Sequence, residues 1–201
     1  MTQNKTKRLV VIAMLSAIAA VLMQFTAFPL LAPPLDFLQV DASIVLVLFG
    51  LFILGAPSAY VILLLRSVIY LLLFNSGVST MIGVPMNITA MALYIFFVSL
   101  TTRKSDNFTI KQFAVGGILG TFALTIAMLL LNYFYAIPMY ERFANFRLEF
   151  IGMTRIQYLI YGVIPFNVIQ GILLTVINIV CLTPMKKLIA KQNRKFVRET
   201  A

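Results

Sequence analysis

Apolar stretches long enough to cross a bilayer recur along this 201-residue chain, and nothing else constrains its fold so tightly. Crossing about 30 Å of hydrocarbon takes about 20 residues of helix, fewer where neighbouring protein covers the ends. Six candidate spans emerge, at residues 9–31, 43–54, 58–74, 85–100, 113–136 and 160–183. With 61% apolar and 11% charged residues, the chain has too little polar surface to cover a water-soluble particle. The expected fold class is therefore all-α, an integral membrane bundle of six transmembrane helices in a single membrane domain. The run from Leu9 to Leu31 follows Lys5, Lys7 and Arg8 as a secretory signal would, but it exceeds a signal core and is expected to remain as the first helix. Gly55-Ala56-Pro57-Ser58 reads as a tight turn, with Gly ending one helix and Pro starting the next. The second span is short, and re-entrant second and third segments would leave four crossings.

Orientation follows from Lys and Arg in the connections. With the N-terminus inside, the inner segments hold Lys5, Lys7, Arg8, Arg103, Lys104, Lys111 and a tail with Lys186, Lys187, Lys191, Arg194, Lys195 and Arg198. The outer segments hold Arg142, Arg147 and Arg155. Twelve against three places both termini in the cytoplasm and requires an even number of spans. The basic tail beside an apolar helix fits anionic lipid and topology anchoring, so the +10 charge does not point to nucleic acid.

Enzymatic and redox chemistry finds little to work with. Histidine is absent, which removes a Ser-His-Asp triad, a histidine metal site and a histidine proton relay. Cys181 is the only cysteine, so disulfide frameworks and thiolate metal clusters are excluded. Asp36, Asp41, Asp106, Glu141, Glu149 and Glu199 all lie outside the predicted spans, where they cannot couple protons within the membrane. Gly116-Gly117-Ile118-Leu119-Gly120-Thr121 lacks the lysine of a phosphate loop and suits close helix packing through Gly116 and Gly120. No catalytic residue, metal ligand or cofactor is expected. Any pumping must draw its energy from a partner.

The polar groups inside the apolar helices carry the functional signal. Arg66 is the one charge within a span, costing about 2.5–3.5 kcal/mol at the bilayer centre on insertion scales. It needs a ligand or a carboxylate, and Asp36 or Asp41 comes within reach only if the first outer loop folds down into the bundle. Val84-Pro85-Met86-Asn87-Ile88 and Ile164-Pro165-Phe166-Asn167-Val168 share one pattern, with Pro suited to a first helical position and Asn just inside an outward mouth. Asn132 lies about one turn from the outer end of the fifth span, and Gln170 shares a face with Asn167. Interhelical hydrogen bonding explains such amides, and so does a pocket for a neutral, hydrogen-bonding solute walled by Leu38, Val40, Gly83, Met86, Met91 and Tyr135. The long connection from Ile137 to about Ile164, with Tyr140, Phe143, Phe146, Phe150, Tyr158 and Tyr161, reads either as an interfacial aromatic belt or as a lid.

Leu35-Asp36-Phe37-Leu38-Gln39-Val40-Asp41, Gly83-Val84-Pro85-Met86-Asn87, Asn132 and Pro165-Phe166-Asn167 together resemble the S-components of the energy-coupling factor (ECF) vitamin importers, closest to the riboflavin-specific type. That resemblance covers almost the whole chain. It implies a riboflavin-binding subunit of the bacterial cytoplasmic membrane, with riboflavin as transported ligand rather than cofactor. Leu38, Val40, Gly83, Asn87, Asn132, Asn167 and Gln170 become its candidate substrate contacts. Where the riboflavin type commonly carries a lysine three positions after the last asparagine, this chain has Gln170. The resemblance further implies a transmembrane coupling subunit of the EcfT type and two cytoplasmic ATPases as partners. Ala13 and Ala17 on helix one match the family's small-residue docking face, a spacing that packing within the chain would also use. An S-component for another vitamin and a stand-alone channel or facilitator are the alternatives.

Overall fold

The computed structural model describes residues 2–102 and 109–185. Arg103, Lys104, Asp106, Glu199 and the basic residues of the tail lie outside the described residues. Five helices are long and apolar enough to cross a membrane, and a sixth is shorter. They are α1 (Thr2–Phe25), α2 (Ile44–Leu54), α3 (Ala56–Leu73), α4 (Val78–Thr102), α5 (Ile110–Phe143) and α6 (Arg155–Leu182). The chain folds as an all-α membrane bundle, with α1 against α3, α2 against α1 and α3, and α4, α5 and α6 in succession.

The turn expected at residues 55–58 is present. Gly55 adopts φ 87°, a conformation that costs a residue without Cβ little, and Pro57 opens α3. Arg8 fastens this turn to α1, donating to the Ser58 hydroxyl at 2.6 Å and to the Leu54 carbonyl at 3.2 Å. Gly116 and Gly120 form a close packing surface, as expected. A Cβ on Gly116 would stand 2.8 Å from Val98 Cα, and one on Gly120 would stand 3.1 Å from the Tyr94 ring. Tyr94 then crosses to α6, its hydroxyl 2.8 Å from Thr175 Oγ1.

Four boundaries on the outer side differ from the sequence expectation. Helix α1 stops at Phe25 rather than Leu31, because the following residues pair as a short antiparallel ribbon of β1 (Phe28–Pro29) and β2 (Gln39–Val40), with Phe28 opposite Val40. Helix α4 starts at Val78, so Pro85 lies inside it and not at its first position. Helix α5 continues to Phe143, and α6 begins at Arg155, where Thr154 and Gln157 form a capping box. The connection between α5 and α6 is therefore much shorter than 137–164, and Tyr158 and Tyr161 belong to α6.

The physical reason lies in two π-helical turns. In Asn132–Ala136 the chain widens so that the Ile137 N–H reaches the Asn132 carbonyl, and in Tyr158–Val163 the Ile164 N–H reaches Leu159. Pro138 and Pro165 each stand two residues beyond one of these turns. A proline ring normally clashes with the carbonyl four residues back; the widened turn upstream accommodates it, so the helix bends round the proline instead of starting at it.

Helix α2 has 11 residues, about 16 Å at 1.5 Å per residue, half of what a bilayer requires. The first outer loop, residues 26–43, makes up the difference by folding down over the outer end of α2. It is tied there by Thr26, whose hydroxyl accepts from the Ala42 N–H at 3.0 Å. The bundle interior is mostly apolar, with Ile62, Tyr94, Ile95, Phe113, Leu124 and Leu174 fully buried. Its outer surface carries Leu72, Phe122, Phe134 and Val180, apolar side chains that only lipid solvates well.

Candidate functional site

The ends of α1, α3, α4, α5 and α6 on the side away from Lys5, Lys7, Arg8 and Lys111 surround a cavity of about 470 Å³, within the range of small-molecule sites. The first outer loop forms one wall with Phe37, Gln39, Val40 and Asp41. Helix α4 supplies Ser79, Thr80, Gly83 and Asn87, and α5 supplies Asn132, Ala136, Tyr140 and Glu141.

Of the residues singled out in the sequence, Val40, Gly83, Asn87 and Asn132 meet on this cavity wall. Leu38 is partly buried against the core, and Asn167 and Gln170 are buried on α6 at 3% and 5% exposure; none of the three lines the cavity. Met86, Met91 and Tyr135 also stand off the wall. Asn167 donates from Nδ2 to the Val163 carbonyl of its own helix at 2.7 Å. The expectation that Asn87 and Asn167 lie just inside helix mouths is corrected by the longer α4 and α6, which put each asparagine two or more turns into its helix.

Asn132 sits on the α5 π turn, and its hydrogen bonds define it closely. Nδ2 donates to the Met128 carbonyl at 2.8 Å, and Oδ1 accepts from the Tyr158 hydroxyl at 3.2 Å. Tyr158 belongs to the π turn of α6, so the two widened turns face each other and share one polar link at the cavity wall. Their placement fits the frequency with which π turns occur at functional sites.

Aromatic rings close the outer rim. Phe37 stacks on Tyr158 with centroids 6.2 Å apart and meets Phe146 edge-on at 6.3 Å, while Phe146 meets Tyr140 edge-on at 6.3 Å. The aromatic connection thus divides. Tyr140, Phe146 and Tyr158 face the cavity, whereas Phe143, Phe150 and Tyr161 are exposed on the outside, where an interfacial belt would have them.

Charge on the wall is compensated. Arg66, buried at 1% exposure, donates from Nη2 to Asn87 Oδ1 at 2.6 Å and lies 3.7 Å from Asp41 Oδ1. The loop does fold down, and Asp41 is the carboxylate that meets the buried cation. At the rim, Arg155 donates to both oxygens of Glu141 at 2.9 and 2.8 Å, pinning the start of α6 to the end of α5. Apolar and aromatic surface, hydroxyls and the amides of Gln39, Asn87 and Asn132 remain for a ligand, a set that suits a neutral, ring-bearing, hydrogen-bonding molecule. Sequence reasoning missed Ser79 and Thr80, and it placed Tyr140 on a connecting loop that reads as a belt or a lid and not on a cavity-lining helix. Each reads as an ordinary helix or interface residue until Pro85 is known to lie inside α4 and Pro138 inside α5.

Comparison with known proteins gives a consistent result. Residues 7–182 match the family model of the ECF transporter, substrate-specific component. A riboflavin transporter, RibU, of Streptococcus thermophilus is 43% identical over 94% of this chain and 87% of its own length. RibU of Lactococcus lactis subsp. cremoris is 40% identical over 92% of this chain and 95% of its own length. A solved S component of a bacterial ECF transporter superposes with a TM-score of 0.72 at 30% identity, covering 92% of this chain and 98% of that one.

Proposed function

Because this chain belongs to the substrate-specific components of ECF transporters, we propose that it is a riboflavin-capturing membrane subunit that takes the vitamin from the outer face. The observation that carries this reading is the cavity at the end of the bundle opposite the basic residues, which the positive-inside rule assigns to the outside. A flavin ring asks for apolar and aromatic contact, offered by Val40, Phe37, Phe146 and Tyr158. Its ribityl hydroxyls and ring edges ask for donors and acceptors, offered by Ser79, Thr80, Asn87, Asn132 and Tyr140. The names of the relatives favour the same ligand. Leu38, Asn167 and Gln170 remain candidate contacts beyond the observed wall.

Two turns inward from Asn87 and Asn132, the bundle is filled by Tyr94, Ile95 and Leu124. That packing favours a receptor over a stand-alone facilitator, which needs a continuous polar path. Release inward then calls for partners: a transmembrane coupling subunit and two cytoplasmic ATPases, in the bacterial cytoplasmic membrane. Ala13 and Ala17 are exposed on α1, while Ser16 and Ala20 are buried within the bundle. The exposed pair therefore leaves a flat strip on which another helix can approach closely. Riboflavin titration of the detergent-purified protein, followed by quenching of flavin fluorescence, tests the ligand directly.

A further inference from the structure

Arg66 has five N–H donors and no acceptor. Nη2 is taken by Asn87 on α4, Nη1 faces Asp41 on the first outer loop, and Nε is buried without a partner. The Asp41 oxygen nearest the guanidinium also accepts from the Ser43 N–H at 2.8 Å and from the Ser43 hydroxyl. Asp41 is thereby held in a tight local turn at the base of the loop. Both neighbours of the cation, Asn87 and Asp41, line the cavity, whereas Arg66 itself lies behind the wall.

An asparagine on a cavity wall normally presents either its carbonyl or its amino group, since a half-turn of the amide exchanges them. Here the choice is removed. Arginine only donates, so the Asn87 atom facing it must be the carbonyl oxygen, and the amino group is left for the cavity. Among the described residues, no hydrogen-bond acceptor faces Nδ2, whereas Asn132 donates from its Nδ2 to Met128 and accepts at its Oδ1 from Tyr158.

We propose that Arg66 is a positioning residue: it fixes Asn87 as a hydrogen-bond donor toward a ligand oxygen or unprotonated ring nitrogen and, through Asp41, registers the first outer loop against that donor. The proposal rests on the riboflavin reading, since a flavin carries acceptors of both kinds. It makes specificity depend on a side chain that the ligand does not touch.

The test combines riboflavin titration by fluorescence quenching with thermal melting of the ligand-free protein, for the wild type, Asn87→Asp, Arg66→Gln and Arg66→Lys. Asn87→Asp keeps a partner for Arg66 and replaces the donor with a carboxylate that only accepts. It is expected to melt at or above the wild-type temperature and yet to bind riboflavin roughly tenfold more weakly or worse. A merely structural role would lower melting and affinity together. Arg66→Gln should weaken binding, with part of the loss recovered in Arg66→Lys. Should Arg66→Gln fail to fold, Asn87→Asp decides alone. Wild-type binding accompanied by wild-type affinity in Asn87→Asp overturns this inference alone, whereas a wild-type protein that binds no riboflavin overturns the riboflavin reading and this inference with it.

Discussion

The Tyr158 hydroxyl donates to Asn132 Oδ1 at 3.2 Å, joining the π turn of α6 to the π turn of α5 at the wall of the outer cavity. Both groups are buried, at 5% and 6% exposure. Tyr158→Phe leaves Asn132 Oδ1 without its donor, which should cost about 1–3 kcal/mol, the penalty of an unsatisfied buried polar group. A lowered melting temperature in detergent with the helical circular dichroism retained is the expected result.

Alanine at the two buried asparagines separates the observed wall from a deeper site. Asn132→Ala should weaken riboflavin binding while expression holds. A comparable loss in Asn167→Ala would extend the contact surface along α6, and an unchanged affinity there would leave Asn167 as an amide bonded back to Val163 of its own helix. Unchanged affinity in both variants would return both side chains to interhelical structure.

Removing the partner of the buried cation should be the most damaging single exchange on the outer side. Asp41→Ala leaves the Arg66 charge uncompensated at 1% exposure, and breaking such a buried pair typically costs about 3–5 kcal/mol. Poor recovery of folded protein, or a large drop in melting temperature, is expected. A double exchange to Asp41→Ala with Arg66→Met should recover much of the stability, because the charge that needed a partner is gone.

The exposed small-residue strip on α1 yields a prediction in which binding and transport part company. Ala13→Arg or Ala17→Arg adds a long cationic side chain to a face that makes no contact with the cavity. Riboflavin affinity should stay at the wild-type level, while ATP-dependent uptake in vesicles holding the complete transporter should be lost. Uptake that survives both exchanges would move the docking surface elsewhere.

Hydropathy exposed the number and approximate place of the helices because lipid leaves no alternative to a continuous apolar segment. Gly55 and Pro57 likewise marked their turn through conformational restrictions that hold in any context. Pro85 and Pro165 did not behave as helix starts, and α5 runs on through Pro138. A π turn precedes Pro138 and Pro165, and its wider path is encoded by no single residue type. That one effect hid the true length of α5 and α6 and, with it, that Tyr140 and Tyr158 reach the cavity from helices and not from a connecting loop. The pairing of Arg66 with Asp41 was legible as a condition: a lone charge in a span needs an acid, and the loop had to descend to bring one. Ser79 and Thr80 stayed invisible because a hydroxyl in a membrane helix usually bonds back to its own backbone.

Saturable quenching of riboflavin fluorescence by the purified wild-type protein tests the central claim most directly. One riboflavin per chain, bound tightly enough to be retained through purification or to titrate stoichiometrically, is the predicted result. Folded protein, shown by an intact helical spectrum and a cooperative melt, that neither carries flavin absorbance nor quenches added riboflavin would contradict it.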